Sequence, residues 1–199
     1  MSSFHPKNQE NHIESKIVVA LERIAEAFRV LLWVESRENG LSPIQIQILV
    51  FLLFHDEAKS RISYLAQEFN MTKATVSESV KVLLRKELIT QVDDPLDARS
   101  FTLVLTPAGR AMGRKAAAFA QTLEKPLRQL PDAQQAAMLD GLLHTIHDLH
   151  RAGIISVQRM CHTCAHYRKE NGRHYCRLLQ TWLEAHALRL DCPEHTAAE

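Results

Sequence analysis

The chain has 199 residues, enough to bury one good core with a small appendage but hardly two full domains. Hydrophobic residues make 46% and charged ones 24%, the balance of a soluble globular protein rather than of a fibrous or disordered one. With 24 Lys plus Arg against 23 Asp plus Glu, net charge singles out no acidic or basic partner. The opening MSSFHPKNQENHIESK lacks the apolar core of a signal peptide. The longest wholly apolar run, Ile48 to Phe54, is far too short to span a bilayer. A cytoplasmic protein without a membrane anchor is expected, in a compartment where thiols stay reduced.

In chain order, a first long helix is expected from about Ile13 to Glu38. Its residues Ile17, Leu21, Ile24, Phe28 and Leu31 alternate steps of four and three and so draw one narrow apolar seam. Pro43 suits the first turn of a second helix, PIQIQILVFLLFH, apolar nearly all round and therefore buried. A short third helix, about Ser63 to Phe69, turns Ile62, Leu65, Ala66 and Phe69 inward. Asn70 can take the left-handed conformation that stops a helix, and Thr72 is a good N-cap for a fourth. On that fourth helix Val76, Val80, Leu83 and Leu84 form the buried face, which leaves Lys73, Thr75, Ser77, Glu78 and Lys81 outside. The period then changes: ITQV and SFTLVL read as two strands around the polar turn DDPLDAR, a β-hairpin. Thr106-Pro107 caps a fifth helix that runs to about Leu130, and Pro131 opens a sixth that ends near Gly153.

Two short helices joined by a tight turn and followed by a hairpin make a winged helix-turn-helix. A short helix held on a second one can enter the major groove of DNA with its N-terminal residues at base edges. Small hydroxyls and lysines at that N-terminus suit base edges and phosphates better than a protein core. Between Ser60 and Arg110, seven basic residues face six acidic ones, so affinity must come from where the cations sit, doubled by dimerisation. The seam of the first helix fits a two-fold interface that would present paired reading heads. Phe28, Trp33 and His55 could wall a small-molecule effector pocket but read as plain core.

The stretches ISYLAQEFNMTKATVSESVKVLLRKELI and DDPLDARSFTLVLTPAGR resemble the multiple-antibiotic-resistance-regulator (MarR) type of bacterial transcription factors, with element order shared over roughly residues 13 to 153. The resemblance implies a mainly α fold with a small β-hairpin wing and a dimer built by the first, fifth and sixth helices. It implies that the helix from Thr72 reads the major groove, that Arg99 at the wing tip reaches the minor groove, and that Asp97 orients Arg99 through an ion pair. Glu78 and Lys81 are less typical of the family; Glu78 could accept a hydrogen bond from cytosine N4 or sit near the groove wall.

All four cysteines and eight of the eleven histidines lie from His144 onward. Cys161 and Cys164 form a Cys-x2-Cys knuckle, and Cys176 and Cys192 complete a possible tetrahedron of thiolates, the closed coordination of structural zinc. The tail has few apolar residues, which is a physical reason for a metal staple. Four cysteines are equally the ligand set of an iron–sulfur cluster. Rieske-like Cys/His pairs, free redox thiols and plain core cysteines remain as further readings. His144, His147 and His150 lie on one helix stripe, read as a polar face or a regulatory metal site.

The sequence thus predicts two parts: residues 1–153, a winged helix-turn-helix with dimerisation helices and a DNA-binding module at about 43–106, and residues 154–199, a cysteine-rich metal-binding extension. The expected function is a homodimeric transcriptional regulator on a palindromic operator, with a zinc site that is structural or sensory. The alternatives are an iron–sulfur or thiol-based sensor, a Cys-x2-Cys redox enzyme, or a winged helix used only for protein interaction. No nucleophile–base pair suggests catalysis, and the sequence around the knuckle shows no thioredoxin-like strand–helix setting.

Overall fold

The computed structural model describes residues 2–94 and 97–198, with the side chains of Asp97, Ala98 and Arg99 outside the description. Among the described residues, eight α-helices and five strands follow one another: α1 (Pro6–Asn11), α2 (Ile13–Asn39), α3 (Pro43–Phe54), α4 (Ile62–Glu68), α5 (Lys73–Arg85), β1 (Ile89–Asp94), β2 (Asp97–Leu105), α6 (Pro107–Ala116), α7 (Gln121–Leu127), α8 (Asp132–Arg151), β3 (Tyr167–Glu170), β4 (Arg173–Cys176) and β5 (Thr181–Leu183). β1 and β2 form the expected hairpin. The chain divides into two compact units. The first runs to Phe54 and adds Ser79–Gln91 and Leu103–Thr122; the second comprises His55–Glu78, Val92–Thr102 and the chain from Leu123 onward. Among the described residues no helix is long and apolar enough to cross a membrane.

In the first unit, α2 stops at Gly40, whose positive φ of 59° lets the Leu41 N–H turn back to the Ser36 carbonyl at 3.0 Å. α3 buries Gln45, Ile46, Ile48, Leu49, Phe51 and Leu52, so it is enclosed on almost every side as its composition requires. α6 is capped as expected: Thr106 Oγ1 accepts the Gly109 N–H at 3.0 Å and donates to the Glu87 carbonyl at 2.8 Å. The α2 seam, by contrast, has little cover. Ile17 is 52% exposed, Ile24 39% and Phe28 44%, the last meeting Phe119 edge-on with ring centroids 6.4 Å apart.

Gly109 sets how closely α6 approaches the start of the hairpin. A Cβ there would stand 1.7 Å from the Leu88 carbonyl oxygen, and backbone cannot swing aside as a flexible side chain can. Gly109→Ala is expected to destabilise the protein by about 3 kcal/mol despite alanine's better helix propensity. Chemical denaturation measures this, and an unchanged midpoint would refute the close approach.

The expected fifth helix is not continuous. α6 ends at Ala116, a 3-10 turn spans Ala117–Ala120, and α7 follows with Pro126 inside it. Pro126 has no N–H to give its last turn. The AAFA stretch, however, contains no breaker residue that would announce the 3-10 turn in advance.

In the second unit the tail forms a three-stranded antiparallel sheet, β3-β4-β5, that the sequence reading did not assign. Its first turn is Asn171-Gly172, both at positive φ (49° and 76°), the dipeptide that two-residue hairpins favour. The tail also does not fold on its own apolar content. Met160 and Leu188 are buried with Leu143 of α8, and Leu139, Ile146, Cys161, Tyr167 and Leu183 pack around them. α8 therefore supplies apolar cover that the tail itself lacks.

Candidate nucleic-acid interface and cysteine tail

α4 ends where Asn70 adopts a positive φ of 49°, with its N–H on the Gln67 carbonyl at 3.1 Å and the Met71 N–H on the Ala66 carbonyl at 2.8 Å. Thr72 then caps α5: its Oγ1 accepts the Thr75 N–H at 3.1 Å and meets the Thr75 hydroxyl at 2.8 Å. Val76, Val80 and Leu83 are buried and Leu84 is half-buried. Thr72, Lys73, Thr75, Glu78 and Lys81 are exposed and Ser77 is half-buried. Thr72 to Glu78 belong to the second unit and Lys81 to the first. The backbone of Asp97 and Arg99 opens β2, while their side chains, and so the expected ion pair, lie outside the described residues.

Two residues counted in the sequence only as loose charge have fixed duties. Arg61, just before α4, reaches the wing: its Nη2 meets Asp94 Oδ2 on β1 at 2.5 Å and its Nη1 donates to Ser100 Oγ on β2 at 2.8 Å. One cation thereby grips both strands of the hairpin. Glu68, the last residue of α4, is taken up by Arg159 at 2.6 Å. Neither contact could be read from local sequence, because the partners are 33 and 91 residues apart.

Arg159 is the centre of a polar cluster in the second unit. Its side chain is only 9% exposed. It donates to both carboxylate oxygens of Asp191 (2.6 and 3.0 Å) and to both of Glu68 (2.6 and 3.2 Å). The Tyr64 hydroxyl accepts at 3.0 Å, and His55 Nε2 lies 3.2 Å away. His55, a conceivable effector-pocket wall by sequence, is instead bonded to Asp191 at 2.6 Å. Burial alone would lower the Arg159 pKa, but the two carboxylates outweigh it and raise it. The hydrogen bond from Arg159 in turn holds the Asp191 carboxyl down at about 2. A cleft of about 470 Å³ opens beside this cluster, lined by Tyr64, His147, His150, Arg159, His162 and His195 among others.

All four cysteines are free and half-buried. Cys161 and Cys164 flank a 3-10 turn closed by the Cys164 N–H on the Cys161 carbonyl at 3.0 Å, and Cys176 ends β4. The Arg189 N–H donates to Cys161 Sγ at 3.3 Å, and the Cys192 thiol donates to Glu194 Oε2 at 3.3 Å. Burial pushes the Cys161 thiol up; the Arg189 N–H opposes this, and the other three thiols add to it. The thiol donor chemistry suits zinc or an iron–sulfur cluster. Their placement is open rather than closed: among the described residues no three His, Cys, Asp or Glu side chains stand ready to hold an ion.

The histidine stripe acquires a partner that sequence reasoning missed. His162 lies against His144, His147, Tyr167 and His174, with ring centroids 5.1, 6.1, 5.0 and 6.1 Å away. Both His162 ring nitrogens are buried without a hydrogen-bond partner, and burial first, then the neighbouring imidazoles, push its pKa down to about 4. His150 turns away from this group, its Nδ1 3.1 Å from the Ile155 carbonyl.

Residues 39–100, which contain α3 to the start of β2, match the family model described as MarR family. A Bacillus subtilis protein described as the uncharacterized HTH-type transcriptional regulator YhbI is 28% identical over 115 residues, 56% of this chain and 75% of that one. The Staphylococcus aureus MepR–DNA complex shares the fold with a TM-score of 0.57 at 20% identity, covering 66% of this chain and 96% of the other. Streptococcus pneumoniae FabT in complex with DNA gives 0.56 at 23% identity, covering 70% and 99%. A MarR-family regulator from Silicibacter pomeroyi gives 0.58 at 22%, covering 75% and 98%. The capped turn, the wing gripped by Arg61 and the matched stretch agree: residues 39–100 form a winged helix-turn-helix similar to that of the MarR family.

Proposed function

We propose that this protein is a DNA-binding transcriptional regulator that acts as a homodimer on a palindromic operator. The observation that carries the reading is the capped N-terminus of α5, which leaves Thr72, Lys73, Thr75 and Glu78 exposed immediately after the helix-turn-helix turn. Hydroxyls, lysines and a helix N-terminus are groups that bind phosphates and base edges. Ser77 and Lys81 extend the same reading helix, and Arg99, oriented by Asp97, serves the minor groove. MepR and FabT, similar in fold, have been crystallised with DNA, which supports the same partner here. The exposed α2 seam supports the homodimer.

Cys161, Cys164, Cys176 and Cys192 form a zinc site, structural or sensory, in this reading. Their knuckle spacing and four free thiols support it. An iron–sulfur cluster on the same four thiols is the alternative. Elemental analysis of anaerobically purified protein separates them: about one zinc per chain, or iron with acid-labile sulfide. Four freely titratable thiols and neither metal would end the metal reading and leave the DNA-binding one intact.

Binding of a genomic DNA library, followed by titration on the selected site, tests the regulator itself. Arg99→Ala is expected to weaken that binding by about 1–3 kcal/mol and to reduce the salt slope by about one. An unaltered affinity and slope would remove the wing from the interface. A protein that selects no DNA at all would favour the protein-interaction reading.

A further inference from the structure

We propose that Arg159 is a positioning residue that couples the state of the cysteine tail to the helix-turn-helix, so that a change at the thiols alters DNA binding; this rests on the DNA-binding reading above. The segments that carry the thiols also carry the clamp. Arg159 stands two residues before Cys161, and Asp191 immediately precedes Cys192. The two segments are joined by a parallel bridge between Arg159 and Asp191, with the Cys192 N–H on the Arg159 carbonyl at 2.9 Å and the Cys161 N–H on the Arg189 carbonyl at 3.0 Å. A change that shifts the backbone at Cys161 relative to that at Cys192 therefore moves Arg159 against Asp191.

The other side of the guanidinium holds α4. Tyr64 and Glu68 lie on this first helix of the helix-turn-helix, and Glu68 stands two residues before Asn70, which forms the turn. A second contact reinforces the hold: Ser156 Oγ donates to Asn70 Oδ1 at 2.5 Å. Arg159 thus links the tail to the turn that sets the angle of α5, through bonds that depend on direction as well as distance.

Such a cluster responds in steps. A guanidinium this enclosed is stable only with its carboxylates in bidentate register; displacing one leaves buried charge uncompensated, and the group must re-pair or reach water. The bland alternative is that Arg159 only holds the fold together. In that case its partners should affect stability without affecting how the protein answers to its thiols.

The test uses the full chain, treated with a chelator and then N-ethylmaleimide, so that all four thiols are alkylated whether or not they held metal. Hydrogen exchange of residues 62–71 and affinity for the selected DNA are read before and after. In the wild type, alkylation is expected to speed exchange there and to change DNA affinity on the order of tenfold. Arg159→Ala risks unfolding the tail, so the informative variants are Glu68→Gln and Tyr64→Phe, each shown folded by circular dichroism. In both, the response of exchange and affinity to alkylation should shrink to within about twofold. Variants that respond as the wild type does, or wild-type exchange at 62–71 indifferent to alkylation, overturn the coupling. A wild type that binds no DNA in either state overturns the functional reading instead, and the exchange measurement alone then decides the clamp.

Discussion

Arg159→Ala is expected to destabilise the protein by about 3–5 kcal/mol, as loss of one member of a buried ionic cluster does. The substitution removes five hydrogen bonds, to Asp191, Glu68 and Tyr64, from the space between α4 and the tail. It also leaves the Glu68 and Asp191 carboxylates without the cation between them. Glu68 is only 17% exposed, so water can restore little of what the guanidinium gave it. Asp191 is half exposed and recovers more, which argues for the lower part of the range. Arg159→Lys should restore little, because one ammonium cannot serve two carboxylates bidentately. Denaturant unfolding followed by circular dichroism reads the loss. A change below about 0.5 kcal/mol, the usual effect of a surface substitution, would show that the cluster is not a folding element.

Placing charge on the α2 seam is expected to give folded monomers with DNA affinity lower by two orders of magnitude or more, since paired reading heads lose the advantage of linked binding. Leu21→Glu with Phe28→Glu tests the centre of the seam. Phe28 also touches Phe119 within the chain, so an unfolded double variant would reflect local packing. Ile17→Glu with Ile24→Glu separates the two effects, because these side chains stand 52% and 39% exposed. An isoleucine that exposed costs little to replace within the subunit, but a carboxylate in a two-fold interface meets its own copy. Light scattering reads the oligomeric state. A folded, unaltered dimer after both double substitutions would place the interface elsewhere.

Local chemistry made much of the helix-turn-helix legible. Asn70 stops α4 because an asparagine tolerates positive φ, and Thr72 caps α5 because a hydroxyl satisfies an otherwise orphaned N–H. The period-two stretches after Leu88 formed the hairpin, and Thr106-Pro107 started α6 as expected. Each of these signals lies within four residues of its effect. The Asn171-Gly172 turn is equally local, and the β3–β4 hairpin was available from the same rules.

The sequence by itself determined the turn, its cap, the wing, the enclosed α3, the apolar seam of α2 and the presence of four cysteines in the tail. Only the tertiary structure decided what the isolated charges and histidines do. Arg61 grips a wing more than 30 residues away, Arg159 joins α4 to the tail across 91 residues, and His162 settles among rings from α8 and β4. The physical reason is the range of the forces involved. Capping and strand alternation are satisfied by neighbours in the chain, so composition and spacing reveal them. A buried charge or imidazole is stable only through partners that folding brings to it, and nothing in its own neighbourhood records which they will be.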